Sequence, residues 1–176
     1  RDRSTPAAAA DATSSRSSVS TSAAISPRWV AAATIWRKSV IRPDDRGATW
    51  ADVTRGLPSF HGFPIAVTRK AADAVFVVPL AFAGLYDNFR VADGQFAVYR
   101  TRDAGASWER LTRGLPGPHN YQSVYRDGLD TDGLDDEGVY VGTSNGEVYA
   151  SIDGEDTWQR LPGTLPPILS VTCAVS

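Results

Sequence analysis

From about position 65 onward the chain places short apolar runs between turn residues, and no segment carries a convincing helical period. The runs predict strands at 65–68, 74–79, 96–100 and 107–112, then at 122–126, 138–143, 147–151 and 157–161, with a last lone strand at 168–175. Asn145-Gly146 separates two of these runs. That pair favours a two-residue hairpin turn, which needs positive φ at both central positions. The expected unit is four short antiparallel strands.

A repeat underlies this pattern. DRGATWADVTRGLP (45–58) aligns without gaps on DAGASWERLTRGLP (103–116), with nine of fourteen positions identical. A third copy, DGEDTWQRLPGTLP, occupies 153–166. The tryptophans Trp50, Trp108 and Trp158 lie 58 and 50 residues apart, and a proline follows each by eight residues. Four-stranded units of roughly 50 residues that cannot bury both faces alone are the sequence signature of β-propeller blades. The chain then parses as the two outer strands of one blade, two complete blades and one trailing inner strand. The fold class is all-β, a partial β-propeller. It makes an open arc whose sheet edges invite self-association.

Composition bounds the rest. The chain has 176 residues and a formal charge of −2. Residues 1–70 carry eleven Lys/Arg against five acids, and 71–176 carry seven Arg against fifteen acids. The basic half holds no run of five or more cations, so a nucleic-acid arm is not expected. No apolar stretch approaches the ~18 residues of a membrane span. A single cysteine, Cys173, excludes an intrachain disulfide and fits a reducing, cytoplasmic setting. With two histidines and one cysteine, no metal site and no cofactor are expected. The first 26 residues hold seven Ala, eight Ser and three Thr, with no apolar run long enough for a secretory signal. Residues 1–34 therefore read as a poorly ordered segment, and 35–176 as the repeat domain.

The motif [Ser/Thr]-x-Asp-x-Gly-x-[Thr/Ser]-Trp resembles the Asp-box, the bacterial neuraminidase (BNR) repeat of sialidases, sortilin-type receptors and many bacterial propellers. Thr101, Asp103, Gly105, Ser107 and Trp108 match it fully. The first copy supplies Asp45, Gly47, Thr49 and Trp50, with Pro43 in place of the leading hydroxyl. The third supplies Asp153, Thr157 and Trp158, with Glu155 where glycine is expected. Physical chemistry explains the box without catalysis. The Asp accepts turn N–H groups, Gly takes positive φ, the hydroxyl adds a local bond, and Trp packs against the neighbouring sheet. The resemblance implies bacterial sialidase-like proteins and a structural role for all three boxes.

In propellers the connections from the fourth strand to the next first strand share the functional face with those from second to third. His61 and His119 each follow a box Trp by eleven residues, which places both in the former connections; an inherited exposed loop residue is the alternative. The insertion 80–95 is a second-to-third connection carrying Tyr86 and Arg90, a polar-aromatic set suited to a polar ligand or simply a solvated loop. Tyr121 and Glu147 complete the ligand-binding candidates. Sialidase chemistry needs an arginine triad, a Tyr–Glu pair and an Asp. Arg160-Leu161-Pro162 follows the last box instead of preceding the first, and Glu147 has no tyrosine partner assignable from sequence. The acidic run 130–137 fails an EF-hand register at Leu134 and Asp135. The expected function is a binding module for a carbohydrate or protein ligand without a complete catalytic set. The alternative is the C-terminal part of a sialidase-like glycoside hydrolase whose catalytic residues lie upstream.

Overall fold

The computed structural model describes residues 41–43, 48–62, 64–71, 74–81, 90–152 and 157–174. The expectations for 1–34, Asp45, Gly47, Tyr86 and Asp153 lie outside these residues. Among these described residues ten strands form one hairpin and two sheets. The hairpin pairs β1 (Ile41–Pro43) with β2 (Trp50–Asp52). The first sheet runs β3 (Ile65–Val67), β4 (Val75–Val77), β5 (Val98–Thr101), β6 (Glu109–Leu111) in spatial order. The second runs β7 (Leu129–Thr131), β8 (Val139–Gly142), β9 (Val148–Ser151), β10 (Gln159–Arg160). Every pairing within these sheets is antiparallel. Two four-stranded meanders preceded by a hairpin are the units that the repeat implies, and they are consistent with part of a propeller.

Alternation along the strands explains the stacking. Phe76, Val78, Phe96 and Val98 enter a core shared with Leu129, Val139, Val141 and Tyr149 of the second sheet. Their neighbours Val75, Val77, Ala97 and Tyr99 point the other way, into a second cluster with Leu57 and Trp108. The first sheet is therefore buried on both faces, because side chains alternate with a period of two. The inner strands β3 and β7 lie against each other. At the end of the sheets where these strands turn into their neighbours, the Arg69 N–H donates to Glu137 Oε1 at 2.9 Å. Beside it, Lys70 Nζ and Asp135 Oδ1 are 3.9 Å apart and exposed. Such an exposed pair is worth about 0–1 kcal/mol, so apolar burial holds the sheets together.

Two predicted strands differ. Residues 122–126 are not a ladder strand. Ser123 pairs with Ser144 through Ser144 N–H to Ser123 O and Ser123 N–H to Ser144 Oγ, both at 2.9 Å. The chain then bulges, with Gly128 N–H turning back to Tyr125 O at 2.9 Å, and β7 begins only at Leu129. Nor do the described residues 168–174 of the predicted trailing strand form a ladder. Its donors go singly to Thr143 O from Ile168, to Asp127 O from Val171 and to Asp130 Oδ2 from Cys173. One parallel bridge joins Asp127 and Ser170. Among the described residues no helix is long and apolar enough to cross a membrane.

Candidate functional site

The complete box at 101–108 shows how each residue type is used. Thr101 Oγ1 donates to Asp103 Oδ1 at 2.8 Å and accepts the Gly105 N–H at 2.8 Å. Asp103 also accepts the Ser107 N–H at 2.9 Å and the Ser107 hydroxyl at 2.6 Å. These bonds, chiefly from the Ser107 hydroxyl and N–H, lower the Asp103 carboxyl to about 2. Gly105 has φ +86°, and a Cβ there would stand 2.6 Å from Val53 Cβ, so both conformation and space require glycine. Trp108 Nε1 donates to Val53 O at 2.8 Å and so ties the first sheet to the hairpin before it. All three carboxylate contacts fall within the turn itself, which gives Asp103 a structural office. Thr49 and Trp50 of the first copy are exposed, whereas Trp158 of the third is buried, with Thr157 bridging to Arg113.

The opposite end of the sheets carries the candidate site. There the backbone of His61 bridges to Leu80, Leu80 bridges to Val91, and the Val91 N–H donates to Gln122 O at 3.1 Å. Segment 91–95 includes a 3-10 turn at Ala92–Gly94. The connection 112–122 runs beside it, with a bridge from Gln95 to Pro118 and the Asn120 N–H donating to Gly94 O at 2.9 Å. Tyr121 emerges from this seam exposed, its ring seated on Gly94, where a Cβ would come within 2.6 Å. The Arg90 guanidinium carbon sits 5.7 Å from the ring centroid, inside cation–π range. Insertion and connection thus jointly hold one exposed aromatic face.

The two histidines take unlike places despite their equal distance from a box Trp. His61 bridges to Leu80, three residues past the end of β4, whereas after β8 Ser144 is paired with Ser123. His119 lies earlier in its connection, exposed and at φ +66°. The connection entering the second sheet is longer, so a fixed offset from the Trp does not mark one spatial position.

Glu147 occupies a more constrained setting than the sequence indicates. The Tyr149 hydroxyl donates to Glu147 Oε2 at 2.8 Å and Arg160 Nη1 donates to Glu147 Oε1 at 2.9 Å. Glu147 therefore has a tyrosine partner, two residues on along the same strand face, and Arg160 reaches it because Arg160 registers with Tyr149 across β9 and β10. The Tyr149 ring is buried, 6.0 Å from Phe96. Burial, then the bond to the Glu147 carboxylate and its charge, push the Tyr149 hydroxyl up to about 12. A tyrosine so buried and so firmly protonated, whose carboxylate partner is already paired with Arg160, locks two strands and is not poised as a nucleophile. Close by, the Gln122 side chain is buried with neither Oε1 nor Nε2 hydrogen-bonded among the described residues.

The acidic run is likewise internally satisfied. Asp132 accepts from Leu134 N–H at 3.0 Å, Gly138 N–H at 2.9 Å and Tyr140 Oη at 3.0 Å. Burial raises its carboxyl, but these bonds outweigh it and leave the group below its ordinary range. Among the described residues no group of three or more His, Cys, Asp or Glu is placed to hold a metal ion.

No protein-family model matches the chain. It is 28% identical over 149 residues to a xyloglucanase from Paenibacillus sp., an alignment that covers 73% of this chain and 14% of that protein. Among solved structures it is similar to the GH74 xyloglucanase from Xanthomonas campestris, with a TM-score of 0.49 and 23% identity over 68% of this chain and 17% of that one. The GH74 enzyme of Niastella koreensis gives a TM-score of 0.49 and 14% identity over 69% of this chain and 18% of that one. The chain thus spans less than a fifth of each of these proteins. The motif resemblance pointed to sialidase-like proteins, whereas the Paenibacillus relative is a xyloglucanase and none of the three is described as a sialidase.

Proposed function

We propose that this chain is a glycoside-hydrolase-like β-propeller fragment that contributes one carbohydrate-binding face and lacks a complete catalytic set of its own. The observation that carries this reading is the exposed Tyr121 ring, which packs against Gly94 and has the Arg90 guanidinium carbon 5.7 Å from its centroid. A sugar ring stacks its C–H face on such an aromatic surface, and the pre-set geometry reduces the ordering cost of binding. The likeness to a xyloglucanase favours a neutral, xylose-substituted β-glucan over a sialoside. Neither Tyr149 nor Glu147 fits a sialidase-type nucleophile pair, which favours binding over the enzyme alternative.

Titration calorimetry with xyloglucan oligosaccharides tests the proposal. Binding is expected, and Tyr121→Ala should weaken it at least about tenfold, since aromatic contacts of this size contribute about 0.5–1.5 kcal/mol beyond area burial alone. His61→Ala and His119→Ala, measured in parallel, decide whether either imidazole belongs to the face. No binding to neutral glucans, or binding that Tyr121→Ala leaves intact, would sink the assignment. Release of reducing sugar by the purified chain would transfer the reading to the enzyme alternative.

A further inference from the structure

Alternation along β5 and β6 builds a second polar place on the first sheet. Register pairs Val98 with Leu111 and Arg100 with Glu109, so these four side chains share one face. Val98 and Leu111 are buried in the core that the two sheets share. One step along the strands the same face turns polar. A groove of about 350 Å³ lies there, lined by Arg100, Glu109, Arg110, Leu111, Thr112 and Arg113. Its walls are held in place. Arg100 is buried, and its Nε and Nη2 donate to Glu109 Oε2 at 2.8 and 2.6 Å. Arg102 Nε stands 3.9 Å from the same oxygen. Two guanidinium groups thus converge on one carboxylate oxygen, while the Glu109 side chain stays 52% exposed. Arg110 pairs across the sheet with Tyr99, and its Nη2 donates to Gln95 Oε1 at 2.9 Å. Arg113 closes the far end. Its carbonyl accepts the Trp158 N–H at 2.8 Å and its backbone bridges to Thr157, which fixes where its exposed side chain starts.

We propose that this groove is an oxyanion site, taking a carboxylate or phosphate group between the Arg100–Glu109 pair and Arg113. A planar guanidinium fork matches the paired oxygens of either group, and such charge-assisted bonds are about twice as strong as neutral ones. Glu109 shows the fit from inside the chain, because its own carboxylate already sits where Arg100 and Arg102 converge. It also sets the affinity: its charge orients Arg100 but repels an incoming anion. Leu111 adds a dry base, and the exposed Thr112 hydroxyl adds a donor at the rim. The ligand chemistry differs from that of a neutral glucan, and the groove uses none of Arg90, Gly94 or Tyr121. The two sites are therefore separable by experiment.

Calorimetric titration at low ionic strength with inorganic phosphate, glucuronate and neutral glucose tests the site. Phosphate or glucuronate should bind in the millimolar range, and glucose should not. The tighter of the two ions names the group that the groove takes. Arg113→Gln, a change at an exposed side chain, should weaken binding at least about tenfold, the effect of losing one hydrogen bond to a charged group. Glu109→Gln keeps the shape and removes the repelling charge, so it should tighten binding about threefold or more. Arg126→Gln removes the same charge from an exposed residue outside the groove and should change nothing. No binding of either ion at ~10 mM, about tenfold above a millimolar Kd, overturns the proposal. So does glucose binding as tightly as glucuronate, or Arg126→Gln weakening binding as much as Arg113→Gln. A Glu109→Gln variant that binds more weakly also overturns it, and the Arg113→Gln result stands whether or not that variant folds.

Discussion

Asp103 shows how much of the box lives in one carboxylate. Its folded-state value, about 2, lies below the unfolded one, so its contribution to stability is fully present above about pH 4 and is lost as pH falls through 2. Asp103→Asn should lower the urea midpoint at pH 7 and flatten the pH dependence between 4 and 2. Urea melts of both proteins at pH 7 and pH 2 check this, and parallel curves would refute it. Tyr149 works in the opposite direction. Its hydroxyl is raised, so its contribution is present below about pH 10 and disappears as pH rises towards 12. Glu147→Gln removes the negative charge and should move one tyrosine ionisation back towards 10. Tyrosinate absorbance during alkaline titration reads that shift.

At the scale of elements, the sequence was most legible where chemistry is local. Strands follow from alternation, and β8 and β9 lie within the spans expected of them, but the turn between them is not the two-residue form expected. Gly146 N–H closes on Thr143 O at 3.0 Å with Ser144 and Asn145 central, and of the Asn-Gly pair Gly146 alone has positive φ. Long-range geometry was not legible. The bulge before β7 depends on which carbonyl Gly128 finds, and three successive exposed residues, Tyr125 to Asp127, interrupt the alternation there. The trailing segment has strand-like residues, but its donors are taken singly by Thr143, Asp127 and the Asp130 carboxylate, so no ladder forms. The Glu147–Tyr149–Arg160 set could have been found from an i, i+2 spacing plus cross-strand register, once β9 and β10 were aligned. The Tyr121 platform depends on glycine 94, some 27 residues away in sequence, and no periodicity announces that contact.

At the largest scale the described residues form a short stack of sheets in which stability grows with the number of covered faces. The first sheet is buried on both sides, while among the described residues the hairpin pairs just β1 and β2. Amide hydrogen exchange should therefore be slowest in β4 and β5, slower in β8 and β9 than in β10, and fastest in β1 and β2. Uniform exchange across these strands would contradict the layered picture. The same gradient has an optical consequence. Trp158 is enclosed in apolar surroundings, Trp108 is partly covered and hydrogen-bonded, and Trp50 meets solvent. Their emission should run from blue-shifted and shielded from acrylamide to red-shifted and freely quenched. Variants that keep one box indole at a time, with Trp29 and Trp36 also replaced, would let each seam report its own opening by colour, a spectral ruler running from sheet to sheet.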